Sequence, residues 1–384
     1  MLLRSNSGLS RMRPACSLSI DALPMLLEGG ISNYVRPLVE TMVSSAGEDW
    51  RIRLLFRLGI STDRWKKFRR YASSHKFYRG DLWPIPLPDR FVGNFWESCY
   101  YDLLTAKTRG FFLSTTDLIP RMKHKAVVGI WYDLVPLRIP SFFDIDRKSF
   151  ISAAINRSRR CHFIVAISEC TKRDICDLLD YPEEKICVVY PGSERYPYEV
   201  RPVAVKRPYI IYLGSLALNK NVDGMLRIFS LCVHEHRLDM DIVLTGKDFC
   251  GKPFWQRIIQ DLKIEGRVHM TGWISDDNRE HLLAHATMLW QFSWYEGFGL
   301  PVLEAASRGI PVLYSNRGAV PEILKNPEQE IDPANIEETA VKAACALKSS
   351  ETLERWQKLG LIRASGFSWE KSALKLLRWM EEKF

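Results

Sequence analysis

Apolar residues fall along this chain in short runs that alternate with amphipathic stretches. Ser17-Leu18-Ser19-Ile20-Asp21 reads as the end of a first strand, and Leu26-Leu27-Glu28-Gly29-Gly30-Ile31 leads into an amphipathic helix start at Ser32 to Val39. Arg51 to Leu58 alternates charged and apolar side chains as a half-buried strand does. Ala126 to Trp131, Cys161 to Ser168 and Ile186 to Tyr190 are further strands, and Ser168 is placed to N-cap a helix running through Leu179. The basic segment Trp65 to Arg70 reads as a surface helix or loop. Phe91 to Leu104 carries Phe91, Phe95, Trp96, Tyr100 and Tyr101 at helical spacing, which suits core packing better than an apolar acceptor face. Residues 1–15 read as a fraying leader.

The pattern then breaks and resumes. Residues 191–208 contain Pro191, Pro197, Pro202 and Pro208 without periodicity, as an interdomain connection does. Tyr209 to Ser215, Asp239 to Gly246, Val268 to Ile274, Ala286 to Phe292 and Ile310 to Ser315 follow as strands, with helical stretches between them. Phe367-Ser368-Trp369 opens a last amphipathic helix. Strand–helix alternation in both halves predicts an α/β class with two doubly wound, parallel, Rossmann-like sheets facing a central cleft. The expected boundaries are 1–195, 196–365 and a 366–384 helix returning to the first domain.

Length and composition agree with that picture. A chain of 384 residues exceeds one ordinary core, and 46% hydrophobic with 26% charged residues is a globular composition. No apolar run approaches about 18 residues, and the polar start Met1 to Ser7 lacks a secretory h-region, so a cytoplasmic location is expected. Nine cysteines are scattered without a Cys-x-x-Cys pair, which fits a reducing compartment and argues against zinc. The +9 net charge is concentrated early: residues 51–125 carry 16 basic against 6 acidic residues. Such a segment is either a solvated face or a contact for an anionic partner, including the inner face of a membrane.

Candidate chemistry gathers where strands end in glycine. Gly29-Gly30 sits at a strand-to-helix turn, where backbone approaches phosphate easily, although Gly-Gly is also a plain turn. Units ending at Gly214, Gly246, Gly272 and Gly297 place backbone donors along one edge of the second sheet, the edge where a nucleotide would lie. Lys220 is in position to give a point charge to a diphosphate, and Asp133 ends the Ala126–Trp131 strand, where ligands collect. Trp294 to Glu304 puts Glu296 on a Gly-rich turn and Glu304 in the following helix; the spacing speaks against an acid–base couple and for contacts to two parts of one ligand. His281 and His285 share a helix face, but no third metal ligand accompanies them. There is no phosphate-loop, zincin or nucleophile-elbow pattern, and no nucleic-acid module.

Glu296-Gly297-Phe298-Gly299-Leu300-Pro301-Val302-Leu303-Glu304 resembles the Glu-x7-Glu motif of retaining GT-B glycosyltransferases of family 4, in a mannosyltransferase-like form. Gly214 to Asn221, Gly272-Trp273, Arg317 to Glu322 and Tyr190-Pro191-Gly192 support the resemblance, which runs from Gly29-Gly30 to the Phe367 to Lys371 close. It implies that Glu296 contacts donor-sugar hydroxyls, Glu304 holds the ribose and Lys220 meets the diphosphate. Phe298, Gly299 and Leu300 would line sugar and phosphates, Gly30 would close on the phosphates, and Trp273 and Ile274 would border the base. Gly29, Gly214, Ser215, Gly246 and Gly297 complete the implied donor set. Family chemistry retains anomeric configuration without a metal, the leaving diphosphate taking the acceptor's proton. Two positions depart: Tyr132 stands on the acceptor side where many relatives have His, and Asn219 where they often have Arg.

The resemblance implies a hexosyltransferase that uses a nucleotide sugar, GDP-mannose first, with no further cofactor. Its acceptor would be a glycan or polyprenyl-diphosphate-linked precursor, as in lipopolysaccharide or other polysaccharide biosynthesis. A catalytically impaired scaffold that binds nucleotide sugar or glycan is the alternative that Tyr132 raises.

Overall fold

A computed structural model describes residues 16–74, 80–86, 110–122, 124–193 and 205–383; the leader, Phe91 to Leu104 and most of the 191–208 connection lie outside them. The first sheet consists of β1 (Cys16–Asp21), β2 (Trp50–Arg57), β3 (Gly80–Ile85), β4 (Gly110–Ser114), β5 (Lys125–Trp131), β6 (Phe163–Ala166) and β7 (Ile186–Val188). Its spatial order is β3-β2-β1-β4-β5-β6-β7. The second contains β8 (Tyr209–Leu213), β9 (Asp241–Thr245), β10 (Val268–Gly272), β11 (Met288–Gln291), β12 (Val312–Ser315) and β13 (Glu330–Ile331), ordered β10-β9-β8-β11-β12-β13.

Pairings within both sheets are parallel. Burial on both faces explains why β8 reads as an unbroken apolar run and why β9 and β11 are polar only at their ends: every residue of each is buried. The strand–helix alternation thus becomes two doubly wound parallel sheets, as the pattern implies. In each the winding direction reverses once, between β1 and β4 in the first and between β8 and β11 in the second. Ligands collect at such reversals, because the loops leaving adjacent strands run apart and open a crevice. Among the described residues no helix is long and apolar enough to cross a membrane.

Chain contacts divide the molecule into two compact units, one of Met1–Ile130, Arg157–Ile164 and Ala373–Phe384, the other of Trp131–Asn156 and Val165–Ser372. In the first, the basic segment forms a helix, Thr62–Ser74, that buries Phe68 and Tyr71 and leaves Lys66, Arg69 and Arg70 exposed. The final helix, Trp369–Glu382, lays its end against this unit: Trp50 Nε1 donates to Glu381 Oε1 at 2.6 Å, and Trp379 meets Phe163 edge-on. In the second, Trp255, Trp290, Phe229 and Tyr212 centre a core between β8, β9, β11 and the helices Val222–His234 and Ile336–Lys348.

A buried ion pair anchors the carboxyl ends of β1 and β2. Arg57 Nη2 reaches Asp21 Oδ2 at 2.8 Å, Thr116 Oγ1 donates to the same oxygen at 2.9 Å, and both charged side chains are almost wholly buried. Asp21→Asn strands the Arg57 charge. Urea unfolding should register a loss of about 3–5 kcal/mol; a loss under about 1 kcal/mol would show that solvent, not Asp21, satisfies Arg57.

Candidate active site

The reversal of the second sheet puts two loops side by side, one leaving β8 and one leaving β11. The first turns through Leu218–Lys220, and its Asn219 carbonyl accepts the Trp294 amide at 3.1 Å, which ties it to the second. Lys220 Nζ then lies 2.8 Å from both oxygens of Glu296. Gln291 Nε2, at the end of β11, donates to Glu296 Oε1 at 3.0 Å, and Ser293 Oγ at 2.7 Å. The side chains of Lys220 and Glu296 are 22% and 15% exposed, so the pair is sheltered but reachable.

The backbone of the Glu296 turn is held as tightly as its carboxylate. Ala319 N–H donates to the Glu296 carbonyl at 3.0 Å, and Gly318 lies so close that a Cβ there would sit 2.6 Å from that oxygen. Gly297 is pressed between two layers. Its carbonyl accepts Ser168 Oγ at 2.7 Å and Thr171 Oγ1 at 3.2 Å, and a Cβ on it would stand 2.2 Å from the Tyr132 carbonyl oxygen. Ser168 caps the Glu169–Leu179 helix as expected, its Oγ accepting the Thr171 amide at 2.9 Å.

Past Gly297 the chain turns into the helix Leu300–Ser307. Phe298 drives its ring into a cluster with Tyr190 and Phe367, and Gly299 takes a left-handed conformation, φ 106°. That turn leaves the Phe298, Gly299 and Leu300 amides with no protein acceptor among the described residues, so three donors stand open at the helix N-terminus that follows Glu296. Glu304 lies about one turn further on. Its carboxylate has one charged neighbour within ion-pair range, Arg279 at 3.5 Å. Burial raises the Glu304 carboxyl above its usual range, and Arg279 and Arg308 pull it back.

Asp133 follows β5, its Oδ1 accepting the Val135 amide at 3.1 Å. Solvent reaches the residue, yet the protein packed around its carboxyl strips water from that group and raises its pKa; Glu296 and Asp174 add to the rise, while the Val135 amide and Lys220 oppose it. Asp133, Lys220 and Glu296 are therefore electrostatic neighbours. The adjacent Tyr132 is half-buried and meets this group through its backbone against Gly297.

The other sequence-derived candidates behave differently from one another. The Gly214 and Gly246 amides are spent sideways, on the Thr245 and Gly272 carbonyls at 3.1 and 2.9 Å, so these glycines do not offer free donors. What Gly246 supplies is room, because a Cβ there would stand 1.9 Å from the Gly214 carbonyl. Ser215 gives its carbonyl to Tyr212 Oη. Trp273 projects 66% exposed after β10, with Ile274 half-buried beside it. Gly29 (φ 118°) and Gly30 open the Gly30–Ser45 helix of the other unit. His285 turns Nδ1 to the His281 carbonyl at 2.9 Å and His281 pairs with Asp277, so each ring has its own protein partner.

Several participants carried no sequence signal. Tyr295 Oη donates to Asp174 at 2.9–3.0 Å and lies 3.0 Å from Cys170 Sγ, while Arg138 Nε clamps Asp174 at 2.6 Å. Glu322 accepts the Glu169 and Cys170 amides at 3.0 and 2.6 Å and Tyr190 Oη at 2.8 Å, so it closes the first turn of a helix 153 positions earlier. The sequence marked Glu322 only as the end of the Arg317 to Glu322 stretch that carries the family resemblance, with no sign of this contact.

Residues 199–361 match the family model described as Glycosyl transferases group 1. The chain is 27% identical over 264 residues to the O-antigen chain mannosyltransferase B of Escherichia coli, covering 66% of this chain and 69% of that protein. It is 27% identical over 238 residues to the MMP α-(1→4)-mannosyltransferase of Mycolicibacterium hassiacum, covering 61% of this chain and 57% of that protein. Its fold is similar to that of HepE of Anabaena, solved in complex with UDP, with TM-score 0.69 over 96% of this chain and 100% of that one at 14% identity.

The tight seat of Gly297 yields a direct test. Gly297→Ala forces a methyl into the Tyr132 carbonyl and should cost about 1–3 kcal/mol in denaturant unfolding. Wild-type stability for this variant would mean that the two segments are not packed as described.

Proposed function

We propose that the chain is a group 1 glycosyl transferase of the GT-B fold that moves a hexose with retention from a nucleotide sugar to a glycan precursor, a reading supported by the family match over residues 199–361. The observation that carries this reading is the group at the β8/β11 reversal: a lysine, a carboxylate and three open amides. A nucleoside diphosphate sugar asks for those elements. Its diphosphate needs cations and N–H donors, and its sugar hydroxyls need an acceptor.

In this reading Lys220 and the Phe298, Gly299 and Leu300 amides receive the diphosphate, and Glu296 turns its oxygens to the sugar hydroxyls. Glu304 takes the ribose hydroxyls, with Trp273 and Ile274 along the base. The bond between the anomeric carbon and the diphosphate oxygen breaks as the acceptor hydroxyl adds on the same face. The proton of that hydroxyl passes to the departing diphosphate. Charge grows on the leaving group, where fixed donors act with little reorganisation. Asp133, beside Lys220, keeps that cation's surroundings close to neutral before the donor enters.

The finer choice is mannose from GDP-mannose, supported by the two mannosyltransferase relatives. The domains are then read as 1–195 on the acceptor side, 196–365 on the donor side and 366–384 as the returning helix. For the acceptor we favour a polyprenyl-diphosphate-linked or cell-surface glycan precursor at the cytoplasmic face of a membrane. The exposed cations of the Thr62–Ser74 helix support this, together with Ile60, 85% exposed just before it. A nucleotide-sugar-binding scaffold without turnover is the second reading, favoured by Tyr132, which brings no imidazole to the site.

A panel of nucleotide sugars offered to the full-length chain separates the readings. GDP-mannose should be consumed fastest, and Lys220→Ala should cut turnover about 10²–10³-fold. Binding of a donor without product from any acceptor would establish the scaffold; neither binding nor turnover would end the transferase reading. In a second assay, vesicles with anionic lipid should sediment the chain and neutral vesicles should not, and joint replacement of Lys66, Arg69 and Arg70 by Gln should abolish the difference. Equal sedimentation of that variant would remove this helix from the membrane contact.

A further inference from the structure

Glu304 is surrounded by charges that the glycosyltransferase reading does not use. The Asp276–Ala284 helix brings Asp276, Arg279 and Glu280 toward it, and Arg308 follows directly on its own helix. Arg279 Nη1 lies 3.5 Å from Glu304 Oε1, and Arg279 Nη2 lies 3.6 Å from Asp276 and 3.8 Å from Glu280. Arg308 is committed elsewhere: its Nε pairs with Glu280, and its Nη1 donates to the Glu304 backbone carbonyl at 2.8 Å and to Ser307 Oγ at 3.1 Å. Arg279, Arg308 and Glu280 are 20%, 12% and 6% exposed, so water does little to screen these three, whereas Asp276 is 76% exposed and well solvated.

The distances divide the labour. At 3.5 Å, Arg279 is close enough to favour the charged carboxylate but beyond the usual reach of an N–H···O bond. No protein group among the described residues donates a hydrogen bond to the Glu304 carboxylate. Glu296 is the contrast, since its carboxylate already receives Lys220, Gln291 and Ser293. Glu304 is thus sheltered and unspent.

We propose that Arg279 is a positioning residue for nucleotide binding, keeping the Glu304 carboxylate ionised and oriented while leaving its lone pairs to the vicinal hydroxyls of a ribose. The assignment rests on the donor-site reading above and adds to it a residue outside the Glu-x7-Glu stretch. An ionised carboxylate accepts from two neighbouring hydroxyls at once; a protonated one must use one oxygen as a donor and loses that fit. Burial pushes Glu304 toward the protonated form, Glu280 and Asp276 push the same way, and Arg279 is the largest opposing influence. Removing Arg279 raises the carboxyl further. Nucleotide affinity should then fall as pH drops, and the fall should begin at a higher pH than in the wild type.

Calorimetric titration of the full-length chain with GDP and with 2′,3′-dideoxy-GDP, from about pH 5.5 to 8.5, tests this. Arg279→Met should weaken GDP binding several-fold near pH 6 and much less near pH 8.5. Arg279→Lys should restore the wild-type profile, and dideoxy-GDP, which has no hydroxyls for Glu304, should bind wild type and Arg279→Met alike. Glu304→Gln, neutral at every pH, should bind GDP weakly without the pH slope, a readout that survives if Arg279→Met fails to fold. An unchanged GDP profile in Arg279→Met, equal losses for GDP and dideoxy-GDP, or a retained slope in Glu304→Gln would overturn the assignment. Failure of the wild type to bind GDP or UDP would instead defeat the donor-site reading, and this assignment with it.

Discussion

The ion pair between Lys220 and Glu296 spans the reversal of the second sheet and needs three pieces of chain in register. Lys220 comes from the turn after β8, Gln291 from the end of β11 and Ser293 from the loop beyond, and all converge on one carboxylate. Moving any of them strips a partner from a charge with little water around it. The packing of Gly318 and Gly297 makes sense in that light: both let backbone come where a side chain would push Glu296 away. Lys220 and Glu296 are therefore not a loose pair of charges. The pair is neutralised internally, and an anion that engages Lys220 has to draw it from a carboxylate that itself has other donors to fall back on.

The two glutamates of the motif are treated in opposite ways. Glu296 is saturated by neutral and cationic donors, whereas Glu304 has a guanidinium nearby and no hydrogen bond to its carboxylate. Equal spacing in a motif says nothing of this difference, because it is made by Lys220, Ser293 and Arg279, two of which lie outside the motif and its flanks. The helix that carries Glu304 fixes their separation; the environment assigns their tasks.

Much of the fold was legible because buried parallel strands have to be apolar throughout, as in Tyr209 to Leu213, and because Ser168 and the glycines punctuate them. The strands that escaped notice are β3, an edge strand interrupted by Asp81 and Pro84, the five-residue β4 and the two-residue β13. β3 is too polar and β13 too short for periodicity to register. In the site, Lys220, Glu296 and Asp133 could be picked out from strand ends. Asp174, Tyr295 and Arg138 could not, since their meeting depends on how a helix after β6 packs on a loop after β11. The glycine edge also changed meaning once hydrogen bonds were assigned, because Gly214 and Gly246 spend their amides on neighbouring strands. Pattern identifies residues that sit at an edge; it does not reveal which donors are already taken.

Glu322 carries a consequence for how the chain reaches this state. It satisfies the first amides of the Glu169–Leu179 helix, although it is made 153 positions later. Chains fold in part as they emerge from the ribosome, from the N-terminus onward. While residues 170 to 321 are being synthesised, this helix begins with only Ser168 at its head, and the Cys170 amide must make do with water. The helix that supports Gly297 is thus completed from the far end of the chain.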